Sequence, residues 1–148
     1  MSKQLGTINK VLLLKEQLEE EIELEVRRMR DHISMLQTRL SVLENAYEET
    51  QDKFLDKQMA GTLALQELGI YQSYLFHLQI EMEKRKAEIA RALIALDARH
   101  EALVEAHKET KLVEALKERR EKENAKEEMR QERKEMDSIS SMLREVNK

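Results

Sequence analysis

Seam-forming side chains alternate in steps of four and three residues through the first part of the chain, and this spacing constrains the fold more than any other feature. The stripe comprises Met29, Ile33, Leu36, Leu40, Leu43, Tyr47, Thr50 and Phe54. Such a stripe is typical of a coiled-coil seam, where one face of a helix packs against a second helix. We therefore predict a first long helix at about residues 3–57.

The same stripe can be extended toward the N-terminus in a less regular form. Its members there are Val11, Leu14, Leu18, Ile22 and Val26, with two successive steps of four residues before Met29. A break of this kind, a stutter, is predicted to relax the left-handed supercoil locally without ending the helix.

A second stripe with the same spacing occupies the other half of the chain. It comprises Leu68, Tyr71, Leu75, Leu78, Met82, Arg85, Ile89, Ala92, Leu96, Arg99, Leu103, Ala106, Thr110 and Val113. Arg85 and Arg99 are strong exceptions, but an arginine can lay its alkyl stem along the core while its head reaches water or a carboxylate. A second helix is predicted at about residues 65–145.

The segment between the two stripes carries residues that end helices. Gly61 predicts the end of the first helix, Thr62 predicts an N-cap, and Gly69 lies either inside the second helix or at a short break. With a turn at about residues 58–64, the stripes face each other in an all-α fold, an antiparallel coiled-coil hairpin of two long helices. The chain is predicted to be a single domain over residues 1–148.

Composition supports long helices and limits the function classes. The chain has no Pro, no Cys and three Gly, and 38% of its residues are charged, which is typical of coiled coils. A net charge of −4 with interspersed acids and bases argues against nucleic-acid binding. The run VLLL at residues 11–14 is too short for a membrane span or a secretory signal. We therefore expect a cytoplasmic protein with no membrane span.

The segment ERREKENAKEEMRQERKEMD, at residues 118–137, is poor in apolar side chains yet contains no helix breaker. Folding the chain at Gly61 places Val11 opposite Lys111. The N-terminal end of the first helix therefore lies opposite about residue 118 of the second helix. The apolar pattern of the second helix also ends there, after Val113 and Leu116. The second helix is therefore predicted to be the longer one, with a charged C-terminal overhang that has no stripe to bury.

Residues suited to catalysis or metal binding form no recognisable motif. The histidines, His32, His77, His100 and His107, lack metal-ligand spacing such as HExxH, and a two-helix hairpin has no interior for a substrate pocket. We expect no enzyme activity, no cofactor and no metal site. Tyr74 and Phe76 fall off the seam, so exposed apolar surface is predicted near the turn, where a partner can bind.

Two longer stretches have an order of features that is more specific than composition. The first is AGTLALQELGIYQSYLFHLQIEMEKRKAEI at residues 60–89, a glycine-containing turn followed by a Tyr-Gln-x-Tyr-Leu start of the second helix. The second is ARHEALVEAHKETKLVEALKERREKENAKEEMRQERKEMDSI at residues 98–139, with Leu-Lys-x-Arg and a charged run closing in Met-Asp. In this order, over essentially the whole chain, they resemble the FliJ family of the flagellar type III export apparatus.

The resemblance implies a stalk that serves flagellar protein export. Family members look like the central coiled coil of rotary ATPases, insert their paired termini into the ring of the export ATPase, FliI, and aid ring assembly. They act on the export-gate protein FlhA through the hairpin half and handle substrates with flagellar export chaperones. The chain is thus expected in the cytoplasm, peripherally associated with the membrane-bound export apparatus.

The resemblance also points to two sets of partner-binding residues. On the gate side these are Leu40, Leu43, Tyr47, Tyr74 and Leu78, and on the ATPase side they are Arg119, Arg120, Arg130 and Arg133. Because Leu40, Leu43 and Leu78 also lie on the seams, the alternative for these three is a role in the core alone.

Three other interpretations remain open at this point. The first is the equivalent stalk of a virulence type III secretion injectisome, and the second is a plain structural coiled-coil rod. The third is a holding chaperone of the prefoldin type, which would need several copies on a β-platform that this chain does not contain.

Overall fold

The computed structural model describes residues 2–147 and contains two α-helices within that range, α1 at Ser2–Met59 and α2 at Leu65–Val146. The helices pack against each other in opposite directions, and none of the described residues lies in a strand. The predicted fold class is confirmed: the chain is an all-α helical hairpin whose second helix, with 82 residues against 58, is the longer.

The chain forms two compact units, which are described separately. The hairpin unit is Ile22–Ala102, and the terminal unit comprises residues up to 21 together with residues from 103 onward. The single domain over residues 1–148 stays a prediction, and its residues 1 and 148 lie outside the described part of the chain.

The turn of the hairpin unit is closed by backbone hydrogen bonds around Gly61. This glycine has a φ of +70°, a left-handed conformation that a side chain disfavours. Its N–H donates to the carbonyl of Gln58 at 3.3 Å, and the N–H of Thr62 donates to the carbonyl of Lys57 at 3.2 Å. These two bonds make a Schellman motif, which satisfies carbonyls at a helix C-terminus, so the predicted helix end at Gly61 is confirmed.

Two other details of the turn complete or correct the sequence prediction. Thr62 does not cap α2, because its hydroxyl points back to the carbonyl of Lys57 at 3.5 Å and α2 begins only at Leu65. Gly69 lies inside α2, where an added Cβ would meet open space. The predicted N-cap is therefore wrong. Of the two alternatives for Gly69, the position inside the second helix is correct and the helix break is not.

The core of the hairpin unit follows the predicted seam. Val26, Ile33, Leu36 and Leu78 are buried, and these residues come from both helices. Burying side chains of this size stabilises the folded state by about 1.5–3 kcal/mol each. The seam of this unit is therefore an ordinary apolar one.

The register of the hairpin unit differs slightly from the predicted one. Two ion pairs cross between the helices, Lys57 to Glu67 at 3.4 Å and Arg99 to Glu25 at 3.0 Å. Both pairs are centred on residue 62 rather than on Gly61. The reason is the turn itself, since the non-helical residues 60–64, which are centred on residue 62, lie between the end of α1 and the start of α2.

In the terminal unit the seam does not follow the most apolar residues. The half-buried positions of α1 there are Leu5, Ile8, Leu12, Lys15 and Glu19, which keep the strict alternation of three and four. Val11 and Leu18 are exposed, and Leu14 is 64% exposed. The predicted stutter is therefore wrong.

Polar seam residues are tolerated in the terminal unit because α2 supplies complementary groups. Lys15 Nζ lies 2.7 Å from a carboxylate oxygen of Glu109, and a carboxylate oxygen of Glu19 lies 2.6 Å from Nδ1 of His107. Each of these charges therefore meets a partner across the seam, which removes much of the cost of partial burial.

The last part of α2 is the predicted charged overhang. Between residues 121 and 147 every side chain is exposed except Asn124 and Glu127, which are half-buried. Local ion pairs one turn apart, such as Arg130 with Glu127 at 3.7 Å, each support the helix by a few tenths of a kcal/mol, about 0.2–0.5.

Candidate interaction surfaces

The hairpin surface is the set of gate-side residues Leu40, Leu43, Tyr47, Tyr74 and Leu78. Leu40, Leu43 and Tyr47 are half-buried along α1, whereas Leu78 on α2 is only 3% exposed. Tyr47 lies near Leu78, because Gln79 donates a hydrogen bond of 3.2 Å to the Tyr47 hydroxyl. Leu78 therefore packs in the core, whereas Leu40, Leu43 and Tyr47 keep part of their surface exposed to solvent.

Tyr74 stands apart from the rest of the hairpin surface. It is exposed and lines a shallow, open groove of about 770 Å³ together with Gly69, Ile70, Ser73 and His77, all on α2. Because Gly69 has no side chain, the backbone of α2 is accessible at that point. Tyr74 thus presents a ring and a hydroxyl to solvent, a combination common in protein interfaces.

A second groove beside Leu43 was not foreseen in the sequence. It has a volume of about 310 Å³ and is lined by Thr38, Arg39, Val42, Leu43, Glu81 and Arg85. The signal for it was Val42, a β-branched residue directly beside a seam position, but periodicity alone assigned it to solvent. An apolar floor with charged walls suits a partner side chain that carries both kinds of surface.

Arg85 and Glu81 form one wall of this groove. Arg85 is bound within α2, to Glu88 at 2.7 Å and to Glu81 at 3.5 Å. Arg85 is half-buried at its seam position, and its guanidinium group reaches carboxylates, as the sequence predicts. A partner would compete for these carboxylates or extend the network.

The turn beside the hairpin surface is held by a cluster of aromatic and charged side chains. The rings of Phe54 and Tyr71 pack with centroids 5.8 Å apart, and Lys57 Nζ lies 5.5 Å from the Tyr71 ring centre. The side chains of Tyr71 and Glu67 beside Lys57 raise the pKa of its amino group. The cluster joins the last turn of α1 to the first turns of α2.

The open-end surface is the set of ATPase-side residues Arg119, Arg120, Arg130 and Arg133. All four are exposed on α2 in the terminal unit. Arg119 and Arg120 share Glu123 as an ion-pair partner, at 3.5 Å and 3.7 Å. Since exposed pairs of this kind contribute about 0–1 kcal/mol, the arginines can exchange them readily for carboxylates of another protein.

Arg120 is the member of the open-end surface that also meets α1. With Leu116 it lines a groove of about 380 Å³, whose other wall is formed by Lys3, Gln4, Thr7 and Ile8. Arg130 and Arg133 line a smaller groove of about 230 Å³ with Lys126 and Met129, on α2 alone. The four arginines therefore occupy two neighbouring stretches rather than one cluster.

An apolar stripe near the end of α2 was missed in the sequence. Met136, Ile139, Leu143 and Val146 are all exposed and follow the seam spacing of three and four. The signal for it is the spacing itself, which directly follows a segment whose charged composition indicates a solvated helix. This stripe extends the open end with an apolar face.

The seam of the terminal unit contains a polar cluster around Glu19. The hydrogen bond from His107 holds the pKa of Glu19 below its usual value and outweighs the opposite effect of burial. Thr110 beside them is 3% exposed, and its hydroxyl donates to the carbonyl of Ala106 at 3.0 Å. The cluster fixes how α1 and α2 pair within this unit.

Neither a metal site nor a membrane-spanning helix emerges from the described residues. No group of three or more His, Cys, Asp and Glu side chains in residues 2–147 is placed to hold a metal ion. No described helix is sufficiently long and apolar to cross a bilayer.

Comparison with known proteins assigns the chain to a family. The family model described as flagellar FliJ protein matches residues 4–147, nearly the whole chain. No curated protein and no solved structure matches it. The matched residues include α1 from residue 4 onward, the Gly61 turn and the whole of α2 with its charged end. The chain therefore belongs to the FliJ family of coiled-coil proteins of flagellar export.

Proposed function

We propose that this protein is a non-catalytic stalk of the flagellar export apparatus, which binds the ring of the export ATPase through its open-end surface and aids ring assembly. The observation that carries the proposal is the exposed, charged last part of α2 with its four arginines. A helix with this composition is stable in water and keeps its guanidinium groups available. Such a helix suits a polar channel in another protein.

Exchange of ion-pair partners would provide the binding energy at the open end. The guanidinium group is planar and binds a carboxylate with two parallel hydrogen bonds. In the free protein, Arg119 and Arg120 share one glutamate, Glu123. Acidic residues of a ring lumen would give each arginine its own carboxylate partner. Binding would then add hydrogen bonds while α2 stays helical.

The hairpin surface is proposed to contact the export gate and to serve the handling of chaperones and their substrates. Tyr74 and the groove beside Leu43 supply the accessible part of this surface, and Leu78 contributes by holding α2 in place. A protein that joins the ATPase to the gate would lie in the cytoplasm, peripherally associated with the membrane-bound apparatus.

The test measures ATP hydrolysis and ring assembly by the export ATPase of the same organism, at a low ATPase concentration. The full chain is expected to stimulate both. Replacing Arg119, Arg120 and Arg130 by Glu should remove most of the stimulation, because each substitution turns an attraction into a repulsion.

A matched control separates this effect from a change of net charge. Arg27, Arg28 and Arg30, in the hairpin unit, are also exposed, and their replacement by Glu should leave the stimulation intact. Equal loss in both triple variants would contradict a specific role for the open end. If the unaltered chain did not stimulate the ATPase, the whole proposal would be contradicted.

A further inference from the structure

A second apolar stripe runs along α2, on the side that does not face α1. Within the hairpin unit it comprises Phe76, Ile80, Ala87, Ala90 and Ile94, all exposed. The steps between them are four, seven, three and four residues, which is seam spacing with one position, Glu83, taken by an acid. We call this set the outer stripe. Its apolar residues have the arrangement that a helix uses to pack against another helix.

The outer stripe is not covered by the hairpin itself. The seam toward α1 uses other positions of α2, among them Leu78, which is buried, and Met82. By contrast, Ile94 is 72% exposed. An exposed stripe of this regularity is typical of a docking surface.

Three basic residues flank the outer stripe. Lys84 and Arg91 lie along one side and Lys86 lies along the other, all three exposed. Lys86 is paired with Glu83, the acid within the stripe, at 3.6 Å, and Lys84 is paired with Glu81 at 3.5 Å. Exposed pairs of this kind contribute little to stability, so acids of a partner can replace them. The chain as a whole carries a net charge of −4, and along this stripe three bases accompany the single acid Glu83.

The middle of the outer stripe is shallow. Ala87 and Ala90 lie between the larger Ile80 and Ile94. Helix axes approach to about 8–10 Å depending on the side chains at the contact, and alanine permits the close end of that range. The stripe therefore forms a saddle into which another helix fits.

We propose that the outer stripe docks an amphipathic helix of another protein, whose apolar seam is flanked by Glu and Asp. The partner's apolar residues would fill the saddle over Ala87 and Ala90, and its acids would pair with Lys84, Lys86 and Arg91. The partner would thereby become a third helix beside the hairpin. This inference goes beyond the proposed function, because none of these residues belongs to the open-end or hairpin surface.

A second copy of this chain does not fit the same face. In a parallel pair, Lys86 of one copy would face Arg91 of the other, since flanking positions five residues apart meet across such a seam. In an antiparallel pair, Lys84 and Arg91 lie on the same side of the stripe and would face each other. Both arrangements bring like charges together, which is destabilising. The partner must therefore carry acids.

A lipid surface fits less well than a helix. Membrane-bound helices have a wide apolar face with large side chains. The outer stripe has only three large apolar residues, Phe76, Ile80 and Ile94, and it has Glu83 in its midst. A narrow seam with a shallow centre matches the width of one helix instead.

The test uses two synthetic helical peptides of three heptads with the same Ile and Leu seam, one flanked by Glu and the other by Lys. Binding to the full-length chain is measured by fluorescence anisotropy at low and high salt. The Glu-flanked peptide is expected to bind at least about tenfold more tightly than the Lys-flanked one at low salt, with the difference reduced at high salt. Equal binding of the two peptides, or no binding, would overturn the proposal.

Two variants locate the binding at the outer stripe. The combined variant Lys84→Glu, Lys86→Glu and Arg91→Glu should reverse the preference, so that the Lys-flanked peptide binds more tightly. Ile94→Asp should weaken binding of the Glu-flanked peptide by about tenfold or more. Leu112→Asp, at an equally exposed position in the terminal unit, serves as the matched control and should change nothing. Circular dichroism verifies that each variant keeps its helix content.

Other occupants would be recognised in parallel measurements. Vesicles of phosphatidylglycerol and phosphatidylcholine test the lipid alternative, and sedimentation equilibrium tests self-association. If neither peptide bound and Ile94→Asp abolished vesicle binding, the outer stripe would be a lipid-binding surface. If neither peptide bound and Ile94→Asp abolished self-association, it would be an interface between two copies of the chain. Either result would contradict the proposal. A preference for the Glu-flanked peptide that survives the charge reversal would place the binding elsewhere and contradict it.

Discussion

The seams of the two units are built from different chemistry. In the hairpin unit, buried Val26, Ile33, Leu36 and Leu78 form an apolar core. In the terminal unit, the corresponding positions of α1 include Lys15 and Glu19, whose partners on α2 complete the contact. The comparison shows that spacing decides which residues face the partner helix, whereas hydrophobicity decides how strongly that contact stabilises the fold.

The largest expected effect on the free energy of unfolding comes from a Leu→Ala substitution, which can be made in each unit to test this contrast. Leu36→Ala deletes a side chain that is 2% exposed and should lower the free energy of unfolding by roughly 2–5 kcal/mol. Leu14→Ala in the terminal unit deletes an exposed side chain and should cost less than about 0.5 kcal/mol. Urea denaturation monitored by circular dichroism measures both. Similar losses would mean that Leu14 is in the seam after all.

The second prediction concerns the turn that closes the hairpin unit. Gly61→Ala places a side chain at a φ of +70° and should destabilise the protein by about 1–2 kcal/mol. Gly69→Ala is the matched control within α2, where a Cβ meets open space, and it should stabilise by about 0.5–1 kcal/mol. The two substitutions are thus expected to move the melting temperature in opposite directions, and a shift of the same sign in both would refute the assigned helix end.

The third prediction tests the polar seam of the terminal unit. Glu19→Gln weakens the bond to His107 and should lower the free energy of unfolding at pH 7 by about 1 kcal/mol. Because the pKa of Glu19 is lowered from 4.5 in the folded protein, its contribution is present above that value. The contribution is lost as the pH falls through the folded-state pKa.

Urea denaturation of the unaltered chain and the Glu19→Gln variant across the acidic range checks this dependence. The difference between the two proteins should disappear at low pH. A difference that stays constant from pH 7 to pH 3 would show that Glu19 acts by packing rather than by its charge.

The smallest expected effect compares the ion pairs that cross between helices in the two units. Arg99 with Glu25 and Lys15 with Glu109 are both partly exposed. Double-mutant cycles with Gln should give a coupling energy below about 1 kcal/mol for each pair, reduced further by salt. A much larger value for Lys15 with Glu109 would show that the polar seam is strengthened by burial.

The fold could be predicted largely from the sequence, because its two determinants are local. Alternating steps of three and four residues give the helix faces, and Gly61 gives the turn. Thr62 was assigned to the wrong helix end because the same residue can cap α2 or close the Schellman motif of α1. The choice between the two depends on where α2 begins.

The polar seam could not be predicted, because it depends on pairs of residues far apart in the chain. Val11, Leu14 and Leu18 are more apolar than Lys15 and Glu19, so a search for apolar stripes prefers them. The complementary groups, Glu109 and His107, become visible only when the register of α2 against α1 is known. A strict heptad count continued from Met29 gives the seam positions Lys15 and Glu19, but it does not give the partners on α2 that make polar side chains acceptable there.

The candidate surfaces divide in the same way. Exposure of the four open-end arginines follows from the composition of their segment. The difference between Leu78, which is buried, and Tyr74, which is exposed, depends on which face of α2 meets α1. Whether these residues bind the partners implied by the family stays a prediction.

The most direct test of the stalk function is the stimulation of the export ATPase by a chain that ends at Glu118. All side chains after Glu118 are exposed up to residue 147 except those of Asn124 and Glu127, which are half-buried, and of these residues Arg120 borders a groove against α1. The shortened hairpin should therefore keep its melting temperature and should lose its effect on ATP hydrolysis and ring assembly. Full stimulation by the shortened chain would contradict the account, because the charged end of α2 would then have no part in binding the ring.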